Sequence, residues 1–184
     1  MKINTDRFDL REITVEDISS IHQLNSIPEI DKFNTLGLPE SILDTENLIQ
    51  PLLEAQKETP RLRYIWAIEN NQNNFMGLVG VNFGKQNYKS AEIWYKLNPD
   101  YWNKGYATEV VKQILNFCFK NLKLHRVIAG CAIENIASIR VLEKTGFVKE
   151  AHHRKILPIR GEWVDNYEYA ILEEDYLSDN LKVI

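Results

Sequence analysis

The sequence predicts one mixed α/β domain, in which a single sheet carries helices on its faces, over residues 1–184. The main observation is an alternation of strand-like and helical patterns in the order β-α-α-β-β-β-α-β-α-β-β. The length of 184 residues suits one domain of ordinary size. An apolar content of 44% is enough for a full core, and no repeat, low-complexity segment or linker divides the chain.

The N-terminal part predicts one strand followed by two helices. Arg7–Glu12 alternates apolar and polar residues and is expected to be the opening strand. Thr14 is expected to cap the first helix, because a carboxylate follows at the third position. Residues 27–43 are mixed in character and predict a loop. A second helix is expected within residues 44–58, where Pro51 favours a late start or a kink. Its aligned apolar residues are Leu48, Leu52 and Ala55.

The remaining elements alternate more regularly. Strands are predicted at Tyr64–Ile68, Met76–Phe83, Ala91–Leu97, Arg126–Ile133, Phe147–Ala151 and Trp163–Leu172. One helix is expected to run to about Leu122, and another from Ile136 to Lys144, ending at Gly146. The stretch Arg126–Ile133 is apolar and rich in β-branched residues, which predicts a strand that is buried on both faces.

Composition and charge exclude several classes of function. A net charge of −4 gives no basis for nucleic-acid binding, which favours a basic patch. No apolar run approaches the ~20 residues that a membrane span needs, and no signal-peptide pattern opens the chain. Cys118 and Cys131 lie in apolar runs, which favours reduced, buried thiols over a disulfide. We therefore expect a cytoplasmic monomer or homodimer without a membrane or nucleic-acid partner.

The segment Leu97–Glu109 predicts an anion-binding turn. It contains a Pro-Asp pair and one glycine, and it joins a strand-like run to a strongly apolar helix. The first amides of such a helix have no partner within the helix and attract anions, above all phosphates. Gly105 and the small Ala107 would let a ligand approach the backbone closely. We therefore expect this turn to hold a phosphate compound.

A second crossing of the same kind follows the next strand. The apolar stretch ends in Glu134 and Asn135, and Asn135 is placed to cap a helix that contains Ser138. In open α/β sheets, ligands bind at the carboxyl ends of strands where the strand order splits. The two crossings therefore point to one cleft.

Both crossings resemble motifs of one enzyme family. Trp102–Glu109 resembles the acyl-CoA signature of the GNAT acetyltransferases, and Asn135–Phe147 resembles the next motif of that superfamily. The tryptophan before the turn, Ser138 and the Glu-Lys-x-Gly-Phe ending are similar to the RimJ/RimL-like branch of ribosomal-protein N-terminal acetyltransferases. Thr5–Arg11 resembles the first strand of that branch, and Gly161–Asp165 together with Tyr169–Leu172 resembles its last strand. The resemblance covers most of the chain.

The resemblance implies a fold and a reaction. The fold is a mostly antiparallel central sheet with helices on both faces, in which two central parallel strands splay apart. The reaction is acetyl transfer from acetyl-CoA to an amine, with acetyl-CoA as the donor and no metal. Backbone amides of the turn would hold the pyrophosphate, the end of the preceding strand would bind the pantetheine arm, and Asn135 would bind its thiol end. The implied binding residues are Tyr95, Lys96, Leu97, Trp102, Asn103, Lys104, Gly105, Tyr106, Ala107, Thr108, Asn135 and Ser138.

The chain departs from the family pattern at three positions. Trp102 stands where the superfamily usually has Gln or Arg at the start of the turn. Asn103 stands where the resembling branch commonly has Gly, and asparagine tolerates a positive φ better than most residues. Leu142 replaces the usual helix tyrosine, the family's commonest proton donor to the leaving thiolate.

The chemistry needs a base, because a protonated amine cannot attack a thioester. Glu92, on the strand that is expected to splay, is the candidate base, directly or through water. Ser138, one helical turn past Asn135, is the candidate donor to the thiolate. The functional role of each of these residues, and of Asn135, has a structural alternative. Glu92 could be a solvated strand residue, Ser138 a small residue packed on CoA, and Asn135 a helix cap alone. No covalent enzyme intermediate is needed, and neither cysteine has an evident histidine partner.

The acceptor is left open between several amines. The acidic residues Glu92, Asp165 and Glu168 suit a cationic amine, and the branch resemblance favours a protein N-terminal α-amine over a polyamine or an aminoglycoside. Strand aromatics could line an acceptor groove, although they are more often core residues. They are Trp94, Tyr106, Trp163, Tyr167 and Tyr169.

Other classes of site and function also stay open. His125, His152 and His153 are expected at the surface or groove edge, without the spacing of zinc ligands. One alternative function is a non-catalytic CoA-binding regulatory module. Another is a nucleotide-binding α/β domain, although the glycine motifs of NTPases and dinucleotide-binding domains are absent.

Overall fold

The computed structural model describes residues 2–181 and divides the chain into two compact units. The first unit comprises the residues up to Asn82 together with Tyr95–Lys104. The second unit comprises Phe83–Trp94 and the residues from Gly105 onward. The predicted domain range 1–184 exceeds the described residues at both ends, and a single domain over that range stays a prediction. No helix within residues 2–181 is long and apolar enough to cross a membrane.

Helices and strands alternate along both units. The strands are β1 (Lys2–Asn4), β2 (Phe8–Glu12), β3 (Arg63–Asn70), β4 (Phe75–Phe83), β5 (Ser90–Leu97), β6 (Arg126–Ala132), β7 (Val148–Ile159) and β8 (Glu162–Leu172). The helices are α1 (Ile18–Asn25), α2 (Pro28–Asp31), α3 (Ile42–Ala55), α4 (Tyr106–Asn116), α5 (Ile136–Lys144) and α6 (Glu173–Leu181). Short 3-10 segments lie at Val15–Asp17, Gln86–Tyr88 and Pro99–Tyr101, and a π-helical turn at Phe117–Asn121 extends α4.

The strands form a single, mostly antiparallel sheet. In the first unit the order is β1-β2-β3-β4 followed by the end of β5, and in the second unit it is β5-β6-β8-β7. Because β5 belongs to both units, the strands within residues 2–181 form one sheet of eight. The β5–β6 pair is parallel. This is the mixed α/β fold class that the sequence predicts.

Several predicted boundaries were wrong. The structure adds β1, α2 and α6, and β7 and β8 form a much longer hairpin than the sequence pattern suggests. Helix α3 begins at Ile42 because Ser41 caps it: the Ser41 amide donates to the Asp44 carboxylate at 2.9 Å. Pro51 lies inside this helix, and the predicted apolar position Leu48 is 37% exposed. The residues that α3 buries are Thr45, Ile49 and Ala55.

Strand β6 is not buried on both faces, contrary to the prediction. Val127, Ala129 and Cys131 are buried, whereas Ile128 is half-buried and Gly130 is exposed. The apolar run therefore reflects one covered face together with small residues on the other. Helix α5 matches its predicted range, and it ends as expected at Gly146, whose φ is 88°. The Phe147 amide donates to the Leu142 carbonyl at 3.1 Å and closes this end of the helix.

A charged network joins β2 to the start of α1 in the first unit. Arg11 binds both carboxylate oxygens of the buried Asp17 at 2.7 Å, and it also donates to Glu69 at 2.6 Å. The Thr14 amide donates to the same carboxylate at 2.8 Å, as the predicted cap requires. Burial alone would raise the pKa of Asp17, but the hydrogen bonds from Arg11 and Thr14 outweigh it and hold that pKa below its usual range.

We expect Asp17→Asn to lower the free energy of unfolding by about 2 kcal/mol at neutral pH, because it weakens charge-assisted bonds to Arg11 and Thr14. Since the pKa of Asp17 is lowered by folding, its contribution is present above the unfolded pKa and is lost as the pH falls through the folded pKa. Urea unfolding at neutral and acidic pH measures both effects. Glu46→Gln, an exposed helical carboxylate, is the control. Equal stability of Asp17→Asn and wild type at neutral pH would contradict the role of this network.

Candidate active site

The parallel pairing of β5 with β6 ends early. It joins Ser90 to Arg126, Ala91 to Val127 and Glu92 to Ile128, and no register pair of these two strands follows within the described residues. Strand β6 continues to Ala132, pairing with β8 alone. The two strands therefore part after Glu92, as the resemblance implies, and the last paired residue of β5 is the candidate base.

At the end of β5, the backbone polar groups point alternately toward β4 and away from it. The Asn98 amide donates to the Met76 carbonyl of β4 at 2.8 Å. A side chain on Gly77 would lie 2.1 Å from the Lys96 carbonyl oxygen, so β4 approaches Lys96 too closely for any residue but glycine. Because backbone polar groups alternate along a strand, those of Tyr95 and Leu97 point away from β4. The Leu97 carbonyl accepts a hydrogen bond from the Trp102 indole at 2.7 Å.

The turn after β5 contains a capped 3-10 segment and two residues with positive φ. The Asn98 side chain caps the Pro99–Tyr101 segment by accepting from the Asp100 amide at 3.0 Å. Asn103 and Gly105 then adopt positive φ values of 57° and 85°. The expectation that Asn103 tolerates this conformation is confirmed. Gly105 is the N-cap of α4 and makes no side-chain hydrogen bond to the first turn, and the first amides of a helix attract anions.

Two cationic side chains border this turn. Lys104 donates from Nζ to the Asp100 carbonyl at 2.7 Å, and Arg7 donates to the Lys104 carbonyl at 3.1 Å. Their positive charge favours an anion at the turn. Arg7 was missed as a site residue, because nothing in its local sequence links it to a segment nearly one hundred residues away.

The Lys96 side chain takes part in a polar cluster of the first unit. Its ammonium donates to the Asn25 side chain at 2.7 Å. Burial lowers the pKa of Lys96 to about 8, and the nearby carboxylate of Asp31 opposes that shift. Asn25 and Asp31 are themselves buried. No local sequence pattern indicates this cluster, because α1, α2 and β5 supply one residue each.

The start of α5 holds the second predicted motif. The Asn135 side chain accepts from the Ser138 amide at 3.1 Å, so Asn135 is the helix cap. The Ser138 hydroxyl hydrogen-bonds the Cys131 thiol. Burial raises the pKa of Cys131 to about 11 and that of Cys118 to about 12. The expectation of reduced, buried thiols is confirmed, and neither forms a thiolate readily near neutral pH.

Glu92 lies on the face of the sheet opposite to the one that α5 contacts. It shares its face with Ile128 and Gly130, whereas Cys131, which bonds Ser138, lies on the other face. The structure therefore does not place the two candidate catalytic residues side by side. Desolvation, and then the charge of Glu168, raises the pKa of Glu92. A carboxylate with a raised pKa is better matched to proton transfer near neutral pH.

The other residues that the sequence singles out lie in different environments. Tyr169 and Leu142 are buried core residues at 1% exposure each, and Leu142 supplies no polar group where the family has its tyrosine. Trp163 is 59% exposed on β8. His152 lies 2.6 Å from Asp165, and His153 lies 3.5 Å from Glu168. Trp94, Tyr106 and Tyr167 are half-buried. Among residues 2–181, no group of three or more His, Cys, Asp and Glu side chains could hold a metal ion.

Comparison with known proteins identifies the family. The model of the acetyltransferase (GNAT) domain matches residues 7–148. The chain is 34% identical over 177 residues to an uncharacterized N-acetyltransferase of Bacillus subtilis, YnaD, covering 96% of this chain and 99% of that protein.

Two solved structures share the fold. Spermidine N-acetyltransferase from Vibrio cholerae, in complex with CoA and spermine, matches with a TM-score of 0.83 at 26% identity, covering 94% of this chain and 99% of that one. Ribosomal-protein-S5-alanine acetyltransferase from Vibrio fischeri matches with a TM-score of 0.84 at 22% identity, covering 96% and 98%. At 22% identity the likeness shows the fold alone, so the predicted membership of the ribosomal-protein branch is not shown.

These matches confirm the predicted fold class and the predicted type of enzyme. The protein is an acyltransferase of the N-acetyltransferase type. The chain belongs to the GNAT acetyltransferase family.

Proposed function

We propose that the protein transfers the acetyl group of acetyl-CoA to a primary amine of a small cationic acceptor, by direct attack in a ternary complex. The observation that carries this proposal is the turn with positive φ at Asn103 and Gly105, which opens α4 without a side-chain cap. Such a turn offers several backbone amides to one anion. In this family, that anion is the pyrophosphate of CoA.

The donor would be held mainly by backbone groups. The amides from Asn103 to Thr108 bind the pyrophosphate, with positive charge from Lys104 and Arg7 beside them. The polar groups of Tyr95 and the Leu97 amide, which point away from β4, bind the pantetheine arm as an added strand would, while the Leu97 carbonyl is bonded to Trp102. The Lys96 side chain bonds Asn25 and its carbonyl lies against β4, so Lys96 has no direct part in this contact. Trp102 and Tyr106 flank the turn, and Ala107 keeps it open.

The two catalytic candidates act from opposite sides of the gap between β5 and β6. Glu92 accepts a proton from the attacking amine, directly or through one water. Ser138 lies on the α5 side, where a hydroxyl can stabilise the leaving thiolate by a hydrogen bond. A hydroxyl has one proton, so it would turn from the Cys131 thiol to the leaving thiolate to make this bond. With Leu142 in place of the family's tyrosine, Ser138 is the polar side chain that α5 offers for this role.

A small amine is favoured over a protein N-terminus as the acceptor. One relative with 94% of this chain aligned is a spermidine N-acetyltransferase whose structure contains CoA and spermine. The acidic side chains of Glu92 and Glu168 suit a cationic substrate. A protein N-terminal α-amine is the second candidate, supported by Trp102, Ser138 and the Glu-Lys-x-Gly-Phe ending that resemble the ribosomal-protein branch.

A thiol-release assay across acceptors tests this proposal. We expect acetyl-CoA-dependent release with spermidine and other small amines to exceed release with peptides that offer only an N-terminus. Mass spectrometry of the product should show one added acetyl group on the amine. Preferred acetylation of peptide N-termini would favour the second candidate. Binding of acetyl-CoA without turnover on any amine would support a regulatory module instead.

We expect Gly105→Glu to weaken acetyl-CoA binding by more than about 100-fold, because it adds bulk and negative charge at the pyrophosphate site and disfavours the positive φ. Isothermal titration calorimetry measures the affinity. Gly161→Glu is the matched control: Gly161 also has a positive φ, 80°, and a side chain there would meet open space. A Gly105→Glu protein that folds and binds acetyl-CoA like wild type would refute the pyrophosphate site.

We expect Glu92→Gln to lower kcat by about 100-fold, the range for loss of a general base, with little change in acetyl-CoA affinity. In wild type, the rate should fall as the pH drops through the pKa of Glu92, and because that pKa is raised, the loss should begin at a higher pH than for an ordinary glutamate. Steady-state rates across pH test both points. An acidic limb that survives unchanged in Glu92→Gln would assign the base to another group.

A further inference from the structure

One face of the second unit carries two carboxylates beside the gap between β5 and β6. Glu92 on β5 pairs with Ile128, which pairs in turn with Ala170 on β8. Glu168 lies two residues from Ala170, so its side chain projects from the same face as Glu92. With strands about 4.8 Å apart, the two glutamates are separated by about 10 Å across the sheet. Glu168 pairs with Gly130, two residues beyond Ile128 on β6. It is therefore displaced from Glu92 toward the end of the sheet at which β5 and β6 part.

The half-buried Ile128 and the exposed Gly130 of β6 lie between these two carboxylates. Gly130, which pairs with Glu168, has no side chain, and its position is exposed. The Asn166 carboxamide lies over Gly130, with its nitrogen 3.2 Å from where a Cβ would stand. A larger residue at position 130 would displace Asn166 and fill the space beside Glu168. The face therefore has room for a slender ligand with hydrogen-bonding groups.

Two basic side chains interact with the Glu168 carboxylate. Arg126, on the same face, is also paired with Glu150 through both carboxylate oxygens. The Nε2 of His153 lies 3.5 Å from the Glu168 carboxylate, beyond a good hydrogen bond. The influence of Glu168 reaches Glu92, since its charge helps to raise the pKa of Glu92. Two like charges on one face favour a ligand with more than one positive charge.

We propose that Glu168 binds a second ammonium group of the acceptor while Glu92 faces the nitrogen that is acetylated, so that the preferred acceptor is a diamine or polyamine. This inference rests on the proposed function and assigns its specificity to one side chain. A monoamine has one positive charge, so with its nitrogen at Glu92 it would gain nothing from Glu168. A diamine gains a charge-assisted contact at each end. Asn166 and Gly130 form the surface along which the connecting carbon chain lies.

The test compares spermidine with butylamine as acceptors for wild type, Glu168→Gln and Glu162→Gln. Wild type should prefer spermidine to butylamine at least tenfold in kcat/KM. Glu168→Gln should raise the KM for spermidine at least tenfold and lower the preference for spermidine over butylamine in kcat/KM at least tenfold, because any change that acts through Glu92 affects both acceptors alike and cancels in that ratio. Glu162→Gln, an exposed carboxylate farther along β8, is the matched control and should change neither. Glu168→Asp should restore part of the preference, because it keeps the charge.

The outcomes separate this inference from the proposed function. If wild type acetylates small amines without preferring spermidine to butylamine, the second-ammonium site is wrong and the proposed function stands. A preference for peptide N-termini over small amines would overturn both. Equal losses with both acceptors in Glu168→Gln would also overturn it. If wild type acetylates no amine, the proposed function fails. Calorimetry of spermidine binding still tests Glu168 in that case: tenfold weaker binding in Glu168→Gln supports the site, and unchanged binding refutes it.

Discussion

The early end of the β5–β6 pairing is the constraint on which the rest of the site depends. A parallel pair that continued past Glu92 and Ile128 would fill the backbone positions that an extended ligand needs. On the β4 side, Gly77 lets β4 approach Lys96 closely, and this contact fixes the end of β5 where β6 no longer pairs with it. The close approach of β4 at Gly77 and the end of β6 pairing after Glu92 therefore act on the same part of β5. Backbone groups at the end of β5 remain directed away from β4.

The turn beyond β5 depends on backbone conformation more than on side-chain identity. Asn103 and Gly105 both take a positive φ, and an N-cap without a side chain leaves the first amides of α4 to an anion. The unusual residues in this motif are accommodated in physical terms. Asn103 adopts the conformation that glycine would take, and Trp102 turns its indole to the Leu97 carbonyl. A family motif can therefore differ from the common residues at some positions and keep its backbone conformation.

The elements that the sequence predicts well are those whose signals are local. Helix α5 has its cap, its apolar spacing and its terminal Gly146 within twelve residues, and its range was predicted correctly. The contacts that were missed join distant segments, as Arg7 does with Lys104 and Asn25 with Lys96. The burial of β6 was misjudged for the same reason. Whether Gly130 is covered depends on Asn166 of β8, and no pattern within β6 contains that information.

The difference between local and long-range contacts also separates the proposed site of the acetyl donor from that of the amine acceptor. The groups proposed to bind the donor lie in short, continuous segments, so that a motif can represent them and a family can retain them. The groups proposed to bind the acceptor come from β5, β6 and β8, one residue at a time, and they act through charge and open space. A single substitution at Glu168 or Gly130 would alter them without disturbing the turn at Gly105. Acceptor specificity can therefore change between relatives whose donor motifs stay the same, which is why the sequence motifs indicate the acetyl donor more strongly than the amine.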